Sequence, residues 1–397
     1  MWSCRGTMDL WACGSNSEGQ LGVGHTLDTS VWTRCTEGER TFPPRGWTVA
    51  EMASSAAGTL ALCQRDDERQ LWTCGRAWPG RDTNAFARIH TQALGITGRL
   101  VHVAAVWDCV YVVERVPEGD RMWAIGQSDA FGLWGTGRAG LGAARDPRMP
   151  AWCHSVDLLG CMPHTAAGPW RVHAVAGGVR HVLAVLTSAD AHWLVGWGHA
   201  RHGQLGPVDA RVVHAPQALL RLWAAGPDAP PTYALALGMA HSVVTAQHHG
   251  TTRVWLWGSN KHGQLDVPDW AWEEHGSTAR RATVPHAVVP ACMWRTTLLH
   301  VDGRVLAHGA DSHAQTRACD WACLGTLRAG SEHALLLDAH GAVHGWGWNE
   351  HGNLACADES VAPRIVWDGP AAIQVWAGYG TSWVGVPAAA LGRDEAC

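Results

Sequence analysis

Residues 335–354, LLLDAHGAVHGWGWNEHGNL, contain an apolar run, a turn, a second short apolar segment and a polar loop. The first run ends at Asp338 and the second segment ends at Gly347, as short strands bounded by turn residues do. The polar loop then runs to Leu354. Weaker copies of this unit occur along most of the chain, which predicts a repeat protein.

Two half-motifs alternate along the chain. The first is an apolar segment built around a small-residue turn and often followed by His, as in residues 327–337. The second is a short apolar segment that ends at Gly and continues through a polar turn to Gly-Gln-Leu, as in residues 255–265. The second occurs seven times, with strand-end glycines Gly14, Gly75, Gly126, Gly198, Gly258, Gly309 and Gly347. The first also occurs seven times, near 49–62, 100–113, 172–186, 233–245, 286–299, 324–337 and 373–386. A repeat of about 40–60 residues made of strands and turns is typical of a β-propeller blade.

The two series are offset by half a repeat. The second half-motif comes first in the chain, at residues 10–14, and the first half-motif comes last, at residues 373–386. A ring of blades needs its last blade tied to its first, and ladder hydrogen bonds between these two segments would do so. We therefore predict an all-β, seven-bladed β-propeller whose ring is closed by N- and C-terminal segments that share a blade.

The whole chain, residues 1–397, is expected to form a single propeller, because no linker divides it. Four ranges break the repeat and are expected to be irregular insertions on the rims: 22–48, 127–171, 207–231 and 267–283. Loops of this kind carry function more often than strands do.

Three sets of repeat positions are expected to be structural. Glycine in the small-residue turns should permit close backbone approach: Gly178, Gly238, Gly330 and Gly378. The histidines that follow should bond the backbone of a neighbouring turn: His181, His241 and His333. The tryptophans before the strand-end glycines should bury their rings and donate the indole N–H to a neighbour: Trp197, Trp257 and Trp346.

Composition limits the classes of function. The formal net charge is -5, and the first ten residues contain one Arg and no Lys. This charge distribution argues against direct DNA or chromatin binding. No apolar run approaches the roughly 18 residues of a membrane span, and no signal peptide is expected. The 13 cysteines are irregularly spaced, which favours a cytoplasmic protein with reduced thiols.

The sequence contains no recognisable catalytic constellation. The GxxxxGK[ST], GxSxG and HExxH motifs are all missing. A GxGxxG match at residues 135–140 lies in a polar turn with no helix pattern after it, so it does not predict a nucleotide site. The cysteines and histidines lack the spacing of a structural zinc site. We therefore expect no enzyme activity, no cofactor and no metal site.

The half-motifs as they stand in residues 257–265 and 196–206 resemble the regulator-of-chromosome-condensation repeat, whose members form seven-bladed propellers. The resemblance covers nearly the whole chain. Residues 330–333 together with residues 345–353 are more narrowly similar to one branch of this superfamily. That branch contains the fungal alpha-tubulin suppressor and the secretion-regulating guanine-nucleotide exchange factor.

The resemblance implies that the chain is a non-catalytic scaffold. Members of the branch bind the small zinc-ribbon-type metalloprotein of diphthamide synthesis, and in fungi the pair supports diphthamide formation and Elongator-dependent modification of tRNA wobble uridines. On this basis we expect a monomer or a heterodimer with that protein, with Elongator-linked proteins as further partners, in the cytoplasm and also in the nucleus. The alternative is a guanine-nucleotide exchange factor for a small GTPase, with the 127–171 range as a wedge. A WD- or kelch-type propeller or a propeller hydrolase is a third, less favoured interpretation.

The candidate partner-binding residues are aromatic and charged side chains on one rim, because such residues dominate binding energy at protein interfaces. Four of them form the part of the opening stretch that the repeat alone does not require: Trp348, Asn349, Glu350 and His351. Three further candidates lie in the polar turn and insertion of an earlier repeat: Lys261, Trp270 and Trp272. For Trp348, the structural alternative is that the ring packs on an adjacent blade.

Overall fold

The computed structural model describes residues 7–126, 129–137, 150–162, 168–206, 208–224, 228–267, 270–275, 279–317 and 325–388. In these residues, seven antiparallel sheets of three to five strands follow one another, beside one two-stranded hairpin. From blade 1 to blade 7, the inner strand of each sheet contacts the inner strand of the next, and Gly378 of blade 7 lies against Ser54 of blade 1. The sheets are therefore the blades of a ring, and the predicted seven-bladed β-propeller is confirmed.

The first part of the chain contributes the outer half of the closing blade and then builds two complete blades. The closing blade takes its outer strands from β1 (Met8–Gly14) and β2 (Thr29–Arg34). The hairpin is β3 (Thr36–Glu37) and β4 (Arg40–Thr41). Blade 1 is β5 (Thr48–Ser54), β6 (Gly58–Arg65), β7 (Glu68–Trp78) and β8 (Arg81–Ile89). A short 3-10 helix, Thr91–Leu94, leads to blade 2, which is β9 (Arg99–Ala105), β10 (Cys109–Val116), β11 (Gly119–Gly126) and β12 (Cys153–Ser155).

The remaining blades follow in chain order, each from its inner strand outward. Blade 3 is β13 (Arg171–Gly177), β14 (His181–Thr187), β15 (Ala191–His199) and β16 (Val212–Ala224). Blade 4 is β17 (Thr232–Leu237), β18 (His241–His248), β19 (Thr251–Gly258), β20 (Glu273–His275) and β21 (Ala279–Val284), with β20 outermost. Blade 5 is β22 (Val288–Cys292), β23 (Thr296–Val301) and β24 (Arg304–Gly309). Blade 6 is β25 (Gly325–Ala329), β26 (His333–Asp338), β27 (Val343–Trp348) and β28 (Ser360–Ile365). Blade 7 adds β29 (Gln374–Ala377) and β30 (Thr381–Pro387) to β1 and β2.

Blade 7 closes the ring with strands from both ends of the repeat array. Its strand order is β29, β30, β1, β2 from the axis outward. Strands β1 and β30 pair antiparallel from Met8 opposite Pro387 to Gly14 opposite Thr381. The predicted pairing of residues 10–14 within the sheet that contains residues 373–386 is confirmed.

The two half-motifs of the sequence meet in a fixed register within each blade. The first residue of the second strand lies opposite the strand-end glycine of the third strand in every blade: Gly58–Gly75, Cys109–Gly126, His181–Gly198, His241–Gly258, Thr296–Gly309, His333–Gly347 and Thr381–Gly14. In blade 6, Gly347 has a φ of 105°, and a Cβ there would lie 2.5 Å from the carbonyl oxygen of Glu332. Only glycine fits this contact, which explains why the position recurs.

The repeat tryptophans join neighbouring blades, as the sequence predicts. Trp197, Trp257 and Trp346 are buried. Their indole N–H groups donate to carbonyl oxygens in the polar loop of the preceding blade: Leu133 (3.1 Å), Gln204 (2.8 Å) and Gln315 (3.1 Å), respectively. Each bond satisfies a buried donor and fixes the spacing of two blades.

The repeat histidines also join blades, but through a different partner from the one expected. The Nε2 atom of His181 lies 2.9 Å from the hydroxyl of Ser242 in the next blade, and His333 is 3.0 Å from Ser382 in the same way. The hydroxyl of Ser242 itself donates to a backbone carbonyl, so it accepts its bond from the histidine. At His181 the predicted bond to turn backbone is wrong, because a serine hydroxyl stands between the ring and that backbone. At His333 the backbone of Thr381 in the next blade acts on the ring as well as Ser382. His241 has no such partner among the described residues.

These three buried histidines should make folding stability depend on pH. Burial lowers the pKa of His181 to about 3, and those of His241 and His333 to about 4. The unfolded chain binds protons near pH 6.5 and the folded chain does not, so stability should fall as pH drops from about 6.5 towards 4. We expect a loss of up to roughly 1.4 kcal/mol per pH unit for each histidine, measured by urea unfolding at several pH values.

A His333→Asn variant serves as the control for this pH dependence. Its side chain cannot take up a proton in this range, so the slope of stability against pH should be smaller than in the unmodified protein. A free energy of unfolding that stays constant between pH 6.5 and 4.5 would contradict the assignment of neutral buried imidazoles.

The four ranges expected as irregular insertions contain regular strands, which corrects that prediction. Range 22–48 includes β2 and the small hairpin, 207–231 includes β16, and 267–283 includes β20 and β21. Range 127–171 includes β12, and part of it lies outside the described residues. These strands were not predicted because they lie at the outer edge of their blades. An edge strand such as β16 tolerates Pro216 and several register shifts, so its sequence lacks a clear alternation of apolar and polar residues.

Candidate functional site

Both half-motifs of each repeat lie on the same face of the ring. The inner strand runs towards this face, the second strand runs away from it, and the third strand returns to it. We call it the turn face; it carries the inner turns near the axis and the polar loops farther out. In blade 6, the N–H of Trp348 donates to the Glu332 carbonyl over 2.9 Å, and in blade 3 His199 donates to Arg180 over 2.7 Å. These bonds hold each polar loop against an inner turn.

The inner turns are joined to one another around the axis. The N–H groups of Ala56, Trp107, Val179, Met239, Trp294 and Ser331 donate to the carbonyl oxygens of Trp107, Val179, Gly238, Trp294, Ser331 and Gly378, respectively, over 2.7–3.4 Å. Each bond runs from one blade to the next. Side chains on these turns are therefore presented on a backbone that is fixed by its neighbours.

Three aromatic side chains meet across the axis on this face. The rings of Trp107, Trp294 and Tyr379 lie 5.5–5.9 Å apart, in tilted or edge-to-face arrangements that aromatic pairs favour. They come from blades 2, 5 and 7. The hydroxyl of Tyr379 donates to the Gly178 carbonyl of blade 3 over 3.3 Å, and burial raises the pKa of this phenol. We call these three residues the axial triad; Trp294 and Tyr379 border an axial cavity of about 110 Å³.

The repeat does not require aromatic residues at the positions of the axial triad. The equivalent residues in other blades are Ala56, Val179, Met239 and Ser331, which differ in size and polarity. Trp107 is nevertheless 39% exposed, and so is Met239. The indole N–H of Trp294 has no hydrogen-bond partner among the described residues. Exposed aromatic surface that the scaffold does not need is typical of an interaction site.

A pocket of about 340 Å³ opens beside the axial triad, between blades 2, 3, 4 and 5. Trp107, Trp294 and Met239 form its apolar wall. Three basic side chains also line the pocket: Arg180, His199 and His202. Burial lowers the pKa of His199, and the nearby positive charges of His202 and Arg180 lower it further.

The predicted residues Trp348, Glu350 and His351 lie together on the polar loop of blade 6. Trp348 is half-buried; its indole N–H donates to Glu350 over 3.2 Å, and its ring lies edge-on to His351 at 5.2 Å. The Nδ1 atom of His351 is 2.7 Å from a carboxylate oxygen of Asp28 in blade 7. A Cβ on Gly380, the residue after Tyr379, would be 3.4 Å from the Trp348 ring. This loop therefore adjoins the axial triad, and Trp348 also packs on the adjacent blade.

Asn349 has a structural role in the same loop. Its side chain is 2% exposed and donates to the carbonyls of Cys356 (3.0 Å) and Asp358 (2.5 Å). It also accepts the N–H of Leu354, as Asn260 accepts that of Leu265 in blade 4. The interpretation that the repeat does not require Asn349 is wrong, because this amide closes the loop in more than one blade.

A buried carboxylate connects the Trp348 loop to the axial triad. Glu332, on the inner turn of blade 6, accepts two bonds from Arg295 at 2.9 and 3.0 Å and one from Gln315 at 2.5 Å. Arg295 follows Trp294 in the chain, while the Glu332 carbonyl holds the N–H of Trp348. The network thus fixes Trp294 and Trp348 relative to each other.

The other three predicted residues lie apart from this group. Lys261 is exposed on the polar loop of blade 4. Trp270 and Trp272 are half-buried, with ring centroids 5.7 Å apart, and pack against the core shared by blades 4 and 5. Blade 5 separates all three from Trp348 in the ring. The structure therefore does not unite the seven predicted residues into one patch.

Sequence analysis missed the axial triad. Trp107 and Trp294 lie in repeats that lack a histidine after the turn. These repeats are therefore difficult to recognise as copies of the motif. Aligning the second residue of each inner turn would have placed both tryptophans and Tyr379 at one repeat position. That they face one another follows only from closure of the ring.

Two features are absent from the described part of the chain. No group of three or more His, Cys, Asp or Glu side chains there is placed to hold a metal ion. Those residues also include no helix with the length and apolarity that a membrane span needs.

Comparison with known proteins gives one family. The model of the regulator of chromosome condensation (RCC1) repeat matches residues 327–353, which include most of the stretch quoted first. The chain is 30% identical over 391 residues to the RCC1 repeat-containing protein C10F6.04 of Schizosaccharomyces pombe, covering 94% of this chain and 98% of that protein. It is 29% identical to the mouse secretion-regulating guanine nucleotide exchange factor and covers 65% of its length.

The fold is similar to that of solved structures. Prp20p from Saccharomyces cerevisiae, reported with its binding properties to Gsp1p and histones, superposes with a TM-score of 0.65. The match covers 96% of this chain and 91% of that one at 19% identity. At this identity the likeness concerns the fold alone.

Proposed function

We propose, from the premise that this chain belongs to the RCC1 repeat family, that it is a propeller scaffold that binds a small zinc-ribbon-type metalloprotein. Propellers of this family are generally non-catalytic binding or regulatory proteins. In the proposed function, the pair supports diphthamide synthesis and modification of tRNA wobble uridines, in the cytoplasm and also in the nucleus. Elongator-linked proteins are the further partners in this proposal.

The observation that carries the proposal is the aromatic surface at the centre of the turn face. The axial triad lies on a backbone fixed by bonds between blades, and Trp348 lies beside Gly380, the residue that follows Tyr379. Rigid aromatic anchors beside charged groups are the usual centre of a protein interface. Glu350, His351 and Lys261 are the proposed charged contacts, and Trp270 and Trp272 are proposed contacts at the outer edge.

The test is direct binding to the purified zinc-ribbon protein of diphthamide synthesis from the same organism. We expect wild type to bind with a micromolar or tighter Kd in isothermal titration calorimetry. Trp348→Ala should weaken binding by about tenfold or more, because an aromatic anchor is lost. The matched control is Trp223→Ala, which removes a half-buried tryptophan from the outer strand β16 and should bind like wild type. If the wild-type protein does not bind the zinc-ribbon protein at micromolar concentration, the proposal is wrong.

Guanine-nucleotide exchange on a small GTPase is the second candidate function. It is favoured by the similarity to the mouse and bovine secretion-regulating guanine nucleotide exchange factors, at 29% and 27% identity. The discriminating measurement is the rate of release of fluorescent GDP from a panel of small GTPases. Acceleration that depends on this protein would favour exchange, whereas unchanged release with tight zinc-ribbon binding would favour the scaffold.

A further inference from the structure

We propose that the pocket beside the axial triad receives an apolar side chain of a partner protein together with a carboxylate one or two residues away. The inference deepens the proposed function and rests on its claim that the turn face binds a protein. It assigns the chemistry of the bound segment, which the family comparison does not supply.

The apolar part of the segment is inferred from one wall of the pocket. Trp107, Trp294 and Met239 line this wall, and Trp107 and Met239 are each 39% exposed. The volume of about 340 Å³ is large enough for a Leu, Met or Phe side chain and its backbone. Covering this wall would remove apolar surface from water, and methionine adapts its shape to different occupants.

The carboxylate is inferred from the basic side chains that line the pocket. The Arg180 side chain is exposed, and its guanidinium lies 4.1 Å from the centre of the Phe131 ring. It forms no salt bridge with a described residue, so its N–H groups remain available to an acceptor. His199 and His202 stand beside it, with ring centroids 5.8 Å apart. A guanidinium that borders an apolar pocket is well suited to a carboxylate, which it can bind through two parallel hydrogen bonds.

A protein segment fits this surface better than a nucleic acid does. Aromatic rings and arginine also bind single-stranded RNA, but that mode needs a basic groove along which the phosphates run. Here two acidic side chains, Asp108 and Asp129, lie near Arg180. Burial raises the pKa of Asp108, and the charges of Arg180 and Asp129 also act on that pKa. The whole chain carries a net charge of -5. One carboxylate can pair with Arg180, whereas a row of phosphates would meet these acidic groups.

The test uses a phage-displayed library of random 12-residue peptides selected against the whole protein. We expect selected peptides to contain Leu, Ile, Met or Phe with Asp or Glu one or two positions away. A synthetic peptide with the selected sequence should bind wild type in fluorescence anisotropy. The same peptide with Lys in place of its acidic residue, or Ser in place of its apolar residue, should bind at least about tenfold more weakly.

Two variants locate the binding site. Arg180→Glu should weaken peptide binding by at least about tenfold, because it replaces attraction with repulsion. Met239→Ser should weaken it by removing part of the apolar wall. Arg221→Glu makes the same charge change on the outer strand of blade 3, away from the turn face, and should leave binding unchanged. Both altered pocket residues are on the surface, and thermal melting confirms that each variant is folded.

The outcomes separate this inference from the proposed function. Selection of no peptide, selection of peptides without an acidic residue, or equal binding to Arg180→Glu would overturn it. So would tight binding of a 20-nucleotide single-stranded RNA that Arg180→Glu abolishes. If the peptides behave as expected while the zinc-ribbon protein does not bind, the proposed partner is wrong and the pocket assignment stands. If the zinc-ribbon protein binds while the selected peptides lack an acidic residue or bind Arg180→Glu equally well, the pocket assignment fails and the scaffold function stands.

Discussion

Deleting residues 373–397 is expected to abolish cooperative folding of the whole ring. The deletion removes β29 and β30, which form the inner half of blade 7. Strand β1 would keep only β2 as a partner, and the buried side chains Leu10 and Trp47 would lose part of the core cluster they share with Trp376 and Trp383. Because each blade of the closed ring packs against a neighbour on both of its faces, opening the ring exposes the faces of two blades at once.

Thermal unfolding followed by circular dichroism and calorimetry would measure this effect. The full chain should unfold in a cooperative transition, and the deleted chain should show none or be insoluble. A chain that ends at Ala388 is the matched control, because it keeps both strands and the bond from Ala388 to Thr7. If the deleted chain melted at the same temperature as this control, closure by shared strands would not stabilise the fold.

Trp346→Ala is expected to cost about 3–5 kcal/mol of unfolding free energy, the range for removing a large aromatic side chain from a core. Trp346 is 0% exposed and packs with Met293, Leu298 and Leu336 of two blades. Trp346→Phe should cost less, because it keeps most of the ring. It would still leave the Gln315 carbonyl without its indole partner, at a cost of about 1–3 kcal/mol.

The comparison variant is Trp348→Ala, two residues farther along the same strand. Trp348 is only half-buried and its indole N–H bonds to an exposed carboxylate, so its removal should cost below about 1 kcal/mol. Urea unfolding of the three variants would measure both differences. Equal losses for Trp346→Ala and Trp348→Ala would contradict the division of this strand into a scaffold residue and a surface residue.

The pairing of the two half-motifs is the part of the fold that the sequence predicted best. Gly347 recurs because a Cβ there would collide with the Glu332 carbonyl, and His333 lies opposite it in the ladder. Such positions select the same residue type in many blades, so the repeat and its count are visible in one sequence. Closure by the first and last half-motifs follows from their offset.

The outer strands and the partner of the histidines were not predicted. Outer strands such as β16 have one unpaired edge and only part of their surface in the core, so many sequences fit them. The histidine partner Ser242 belongs to the next blade, and no local pattern connects it with His181.

The sequence by itself determined the repeat, the number of blades and the closure of the ring, because the same short motif recurs in blade after blade and its two halves are offset at the two ends of the array. Only the tertiary structure decided that Trp107, Trp294 and Tyr379 meet, since blades 2, 5 and 7 face one another only after the ring closes. It also placed Trp348 apart from Trp270 and Trp272, although all three had been expected to lie together on one rim. The inner-turn position accepts Ala56 as well as Trp107, so the repeat leaves its side chain free for binding.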